Sequence, residues 1–191
     1  RHEGLGRDPG LAYGTGCRRP LVLIACEETA IMARAFRACG CDVVTCDLVA
    51  SEDPTIPHFM GDFSHIQDLG FDLVIAHPPC KYLSNAGVRY TNEPGREECI
   101  RDAAALFRRA AAVQAPFSAQ ENPCMHKTGR EAIGGKRPDM VVHPWQHGHE
   151  DTKGAHFFTN GGLPPVRPTC VVQTRSHVLT QLPQTEYRGE D

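Results

Sequence analysis

The segment Phe71-Asp72-Leu73-Val74-Ile75-Ala76-His77-Pro78-Pro79-Cys80 limits more than any other what this chain can fold into. Its apolar run, residues 73–76, is short, nearly continuous and β-branched, which predicts a strand covered on both faces, as in a parallel sheet under helices. Two prolines then stop the ladder, because neither has a backbone N–H to donate. Cys80 is thereby expected on a rigid loop just past the carboxyl end of a central strand. In open α/β sheets that edge is where ligands bind. Most free cysteines are buried and inert. Cys80 is set apart by the prolines, which take it off the strand to a place poor for packing and good for chemistry.

The rest of the chain alternates in the same manner. Residues 21–26 read as a buried first strand. Thr29 is the expected N-cap of a helix whose apolar positions are Ile31, Met32, Ala35, Phe36 and Cys39, stopping at Gly40. Residues 42–46 read as a second strand closing on Asp47, and 59–62 as a short one ending in Asp62. Pro94 opens a long helix with an apolar stripe of Ile100, Ala103, Ala104, Phe107, Ala110 and Ala111. Residues 115–120 form a weak strand ending at a polar loop, Glu121-Asn122-Pro123. Residues 126–137 are glycine-rich and basic and are expected to be a mobile loop, followed by two further strands at 140–145 and 155–159. Strand and helix patterns in this alternation predict one doubly wound α/β domain over 20–173, with a loose lead-in at 1–19 and a polar tail at 174–191.

With 191 residues the chain can bury roughly 70% of its unfolded surface without help from a metal or disulfide. Its formal net charge of −3 excludes a general basic field for nucleic acid, so any polynucleotide contact has to be local. Nine cysteines with no regular spacing read as reduced thiols of a cytoplasmic protein. No apolar run is long enough to predict a membrane span.

Three acids fall at successive strand ends, Glu27 (or its neighbour Glu28), Asp47 and Asp62, where carboxylates can accept from the hydroxyls or amine of a nucleoside cofactor. Downstream come Pro78-Pro79-Cys80, Ser84-Asn85-Ala86-Gly87 and Glu121-Asn122-Pro123. In this order the residues resemble the motifs of the DNA cytosine carbon-5 methyltransferases, over about residues 21–121. The resemblance is closer still to small phage-associated DNA-methyltransferase-like proteins, through His77-Pro78-Pro79-Cys80, Pro144-Trp145-Gln146-His147-Gly148-His149 and Gly162-Leu163-Pro164-Pro165. It implies a Rossmann-like, S-adenosylmethionine-dependent methyltransferase sheet acting on DNA or a nucleotide, in a host cell if phage-encoded. Cys80, Glu121 and Asn122 are then the expected catalytic residues. Glu27, Asp47, Asp62, His77 and Pro78 are expected to hold the cofactor, and Pro79, Ser84 and Lys153 the substrate. The family's first strand normally ends in a glycine-rich turn, whereas this chain has Ala25-Cys26-Glu27-Glu28-Thr29.

Other readings follow from the same residues. His143, His147 and His149, with Glu150 and Asp151, have the density of a metal site, which would make the protein a metal-dependent hydrolase. An enzyme methylating an exocyclic nitrogen needs Asp or Asn and an aromatic around Pro-Pro, and His77 and Cys80 occupy those two places. The missing glycines favour a descendant that binds a nucleotide or DNA without turnover.

Overall fold

The computed structural model describes residues 18–90 and 93–173. The tail at 174–191 and nearly all of the lead-in at 1–19 lie outside the described residues.

Strand β1 (Leu21–Ala25) is buried on both sides, and the two faces of the sheet can be read from its alternation. Val22 and Ile24 pack with Ala30 and Ala33 of the segment leading into and forming α1 (Ile31–Ala38). Leu23 and Ala25 pack the other way, with Phe63, Phe71, Val74 and Ala110, the last of these on α2 (Arg96–Ala111). Helices therefore cover both faces, as the continuous apolar runs predict. With β2 (Asp42–Asp47), β3 (His58–Met60), β4 (Leu73–Ala76), β5 (Phe117–Pro123), β6 (Met140–Val142) and β7 (Ala155–Asn160), the sheet order is β3-β2-β1-β4-β5-β7-β6. The first five strands are parallel, and β7 is antiparallel to both of its neighbours. The strand order reverses between β1 and β4, the switch point of a Rossmann-like sheet, so the carboxyl ends of these strands flank a crevice. Among the described residues no helix is long and apolar enough to cross a membrane, and each cysteine is a free thiol.

Several elements differ from their expected form. The N-cap of α1 is Ala30, not Thr29, and its buried side runs through Ala33 with Met32 and Phe36, leaving Ile31 exposed. The expected strand over 140–145 stops at Val142, because Pro144 starts a 3-10 turn, Pro144–Gln146. Residues 126–137 are not a loop throughout, since α3 (Lys127–Ala132) occupies half of them. Its N-cap is His126, whose Nδ1 accepts from the Gly129 N–H at 2.9 Å while Nε2 donates to the Tyr82 carbonyl at 3.0 Å. One neutral tautomer satisfies both bonds. A Cβ at Gly129 would stand 2.5 Å from the Leu83 carbonyl oxygen, so only glycine lets α3 approach that strongly. A perpendicular Phe107–Phe158 ring pair, 5.0 Å between centroids, fastens α2 to β7.

At the amino edge, Asp72 joins β1 to β4: its Oδ2 accepts the Leu21 N–H at 2.7 Å, and Arg18 forms a two-pronged pair with both oxygens. These bonds, the Leu21 one foremost, hold the Asp72 carboxyl below its ordinary value. A depressed carboxyl contributes stability above its unfolded-state pKa of about 3.9 and loses it as the pH falls through the folded one. Asp72→Asn is expected to lower stability by on the order of 1 kcal/mol at pH 7, with the difference from wild type vanishing toward pH 2. Urea denaturation at both pH values measures this, and an undiminished difference in acid would contradict it.

Candidate active site at the carboxyl edge of the sheet

Parallel pairing of β4 with β5 ends at Ala76 opposite Gln120. One step further along the same register, His77 comes opposite Glu121 and Pro78 opposite Asn122, and both pairs are in contact. His77 Nδ1 lies 3.4 Å from Glu121 Oε2, and Asn122 Nδ2 donates to the Pro78 carbonyl at 3.2 Å. The ladder itself cannot continue, since proline has no N–H. The sequence-based expectation of a loop at Glu121-Asn122-Pro123 is corrected here. These residues are the last three of β5, kept extended by β7, which pairs Glu121 with Phe157, Asn122 with His156 and Pro123 with Ala155. Asn122 is fully buried and its Oδ1 has no hydrogen-bond partner among the described residues.

Cys80 follows Pro79 and opens a 3-10 turn, Cys80–Tyr82, with its thiol half-buried. Its carbonyl accepts from the N–H groups of Leu83 and Ser84. The turn is held from two more sides, by His126, which bonds the carbonyls of Tyr82 and Leu83, and by Arg96 at Lys81. Ser84 is buried and forms a β-bridge with Met125, while Pro79 is exposed. Lys153 stands on the exposed approach to β7, its backbone N–H bonded to Asp151.

On the other side of the switch point lies a corner rich in carboxylates. Cys26, the first residue after β1, has a left-handed backbone, φ 60°, and Ala30 has φ 54°. The turn that lacks glycine thus adopts glycine-like conformations at two other residues, each costing roughly 1–3 kcal/mol. Burial, with Asp47, Cys46 and Asp62 close by, pushes the Cys26 thiol up to about 12. Asp47 Oδ1 accepts from the Val49 N–H, and beside it Leu48 is exposed. Asp62 caps a short turn through the Ser64 N–H and pairs with Arg109 at 3.4 Å. Glu27 is turned inward. Its Oε1 accepts the Met32 N–H of α1 at 2.7 Å, and its Oε2 is buried with no partner among the described residues.

His156 and Arg130 do not stand out in the sequence, and Trp145 does so only as part of the motif Pro144-Trp145-Gln146-His147-Gly148-His149. His156 faces Asn122 across the β5–β7 pair, and burial first, then the nearby His143, push its imidazole down, with Arg130 acting in the same direction and Glu121 opposing. Trp145 stacks on His143, ring centroids 5.9 Å apart. The strand alternation around residue 156 was the only available signal, and it places a residue on a face without saying what lies opposite.

The histidine-rich stretch does not assemble a metal site. Its rings are used locally: His143 with the Thr152 carbonyl, His147 with Thr169 Oγ1 and His149 with the Asp151 N–H. Among the described residues no group of three His, Cys, Asp or Glu side chains stands close enough to hold a metal ion.

No protein-family profile and no curated protein matches the sequence. Among solved structures the chain is similar to a protein from an E. coli prophage assigned as a DNA modification methyltransferase, with 16% identity and a TM-score of 0.46, covering 73% of this chain and 46% of that one. It is also similar to the bifunctional kinase-methyltransferase WbdD, with 15% identity and a TM-score of 0.43, covering 74% of this chain and 34% of that one. The chain thus spans less than half the length of either protein.

The Glu27 geometry has a measurable consequence. Glu27→Ala removes the acceptor of a helix N–H and is expected to lose about 1–2 kcal/mol in denaturant unfolding, whereas Glu27→Gln, which keeps an acceptor, is expected to lose under half of that. Equal losses would show that the cap contributes nothing.

Proposed function

We propose that the protein is a methyltransferase that transfers the methyl group of S-adenosylmethionine to carbon 5 of a cytosine ring, in DNA or in a nucleotide. The observation that carries this reading is the pairing of the two motif segments across the ends of β4 and β5, through His77 with Glu121 and Asn122 with Pro78. That pairing supports a thiol and a carboxyl group acting at one edge of the sheet.

Carbon 5 of cytosine is a weak nucleophile until a group adds at carbon 6. In this reading the Cys80 thiol gives up its proton to solvent as Sγ forms a bond to carbon 6, and the electron pair displaced toward carbon 5 makes that atom reactive. Glu121 binds the ring nitrogen and the exocyclic amine, stabilising charge as the adduct forms. Asn122 holds the proline turn in register. With the methyl group on carbon 5, the proton of that carbon leaves to solvent, its electron pair re-forms the double bond to carbon 6, the bond to Sγ breaks with its pair on sulfur, and the sulfur takes a proton back from solvent.

The cofactor supplies an electrophilic methyl group when bound. The acid corner suits its polar groups: Asp47 presents a carboxylate for the ribose hydroxyls, and the unpartnered Oε2 of Glu27 is an acceptor for an ammonium. His77 and Pro78, at the switch point between that corner and Cys80, would form the wall between cofactor and ring. A second reading, binding without turnover, draws on the Cβ-bearing turn at Cys26.

Labelled S-adenosylmethionine offered with DNA, oligonucleotides and free nucleotides provides the test. Wild type is expected to label a cytosine base, Cys80→Ser to fall below detection, and Glu121→Gln to slow by about 10²–10⁴-fold. Labelling that survives Cys80→Ser would sink the covalent route. Cofactor binding with no labelling of any substrate would favour the binding-only reading.

A further inference from the structure

Arg96 is the first residue of α2, yet it is only 4% exposed. Its Nη2 donates to two carbonyls, Lys81 at 3.1 Å and Gly87 at 2.9 Å. The guanidinium lies over the Tyr82 ring, 4.7 Å from its centroid. Its Nε and Nη1 have no hydrogen-bond partner among the described residues, and no ion pair there joins it to a carboxylate. A buried cation without a counter-charge is costly, so what it holds has to be worth holding. Gly87 shows how tightly: a Cβ there would stand 2.1 Å from the Lys81 oxygen and 2.6 Å from Arg96 Nη2.

The two carbonyls bracket the segment that begins beside Cys80. Lys81 follows Cys80 directly, and Gly87 closes the turn that starts at Ser84, its N–H bonded to the Ser84 carbonyl. Without Arg96 the carbonyls of Lys81 and Gly87 would lose the donor that they share. We infer that Arg96 is a positioning residue: its buried guanidinium clamps the 81–87 loop against α2 and so sets where Cys80 presents its thiol. The inference rests on the proposed role of Cys80, although the clamp itself can be measured without it. His126 holds the same loop at Tyr82 and Leu83, so Arg96 acts on the part that His126 does not reach.

Three variants test this: Arg96→Lys, which keeps the charge and one terminal donor nitrogen, Arg96→Gln, which removes the charge, and Gly87→Ala, which leaves the arginine in place but puts a methyl group against both the Lys81 oxygen and Arg96 Nη2. Amide hydrogen exchange at Leu83, Ser84 and Gly87 is expected to accelerate at least tenfold in Arg96→Gln and Gly87→Ala, and less than threefold in Arg96→Lys, with Val43 and Val44 of β2 unchanged in all three. In methyl transfer, kcat is expected to fall at least tenfold for the first two variants with KM moving less than threefold, and Arg96→Lys to recover most of kcat. Unchanged exchange at the loop in Arg96→Gln overturns the clamp, as does loss of protection spread evenly over β2 and the loop. Altered loop exchange in a protein whose wild type transfers no methyl group keeps the clamp and removes the proposed function. Methyl transfer that proceeds normally in Arg96→Gln keeps the proposed function and overturns the positioning role of Arg96.

Discussion

The arrangement depends on a mismatch between two neighbouring strands. Backbone pairing of β4 with β5 has to end after Ala76, because Pro78 and Pro79 offer no N–H. β5 does not end there, because β7 runs antiparallel along its other side and pairs it as far as Pro123. The result is a rigid strand end, carrying Glu121 and Asn122, that stands beside a turn whose own ladder has stopped. Polar side chains replace the missing backbone bonds: Asn122 takes the Pro78 carbonyl and His77 meets Glu121. Polar groups buried in this way are expected to hold a single geometry, since leaving them unpaired is costly.

The same economy of backbone groups runs through the turn that follows. The carbonyls of Pro78, Cys80, Lys81, Tyr82 and Leu83 each accept a bond, from Asn122, from the turn itself, from Arg96 and from His126. Glycines make the approach possible where helix and turn nearly touch, at Gly129 against Leu83 and at Gly87 against Lys81. These bonds fix the backbone from which Cys80 projects. Across the switch point the design differs: Asp47, Asp62 and Glu27 put carboxylates around a turn with two left-handed residues, and Glu27 is withdrawn to cap α1.

Much of the scaffold was legible in the residues. The apolar runs at β1 and β4 are largely buried, as are Ile100, Ala103, Ala104, Phe107 and Ala110 of the expected stripe, while its last member, Ala111, is half-buried at the end of α2. Short-range signals failed where a distant partner decides. Glu121-Asn122-Pro123 reads as a loop because a polar triplet ending in proline usually is one, and β7 alone makes it strand. His126 and Gly129 look like parts of a flexible basic stretch until the turn at Tyr82 and Leu83 supplies an acceptor and a surface. The histidines at 143, 147 and 149 look like ligands by density, and their rings are spent on nearby loop atoms.

From the sequence alone came the parallel α/β layering, the stop after Ala76 and the position of Cys80 beyond it, since apolar period and the missing proline N–H are local properties. The contacts of His77 with Glu121, the inward turn of Glu27 and the burial of Arg96 belong to the tertiary structure. Each depends on which strand or helix end arrives opposite, and a residue's own neighbours in the chain carry no record of that.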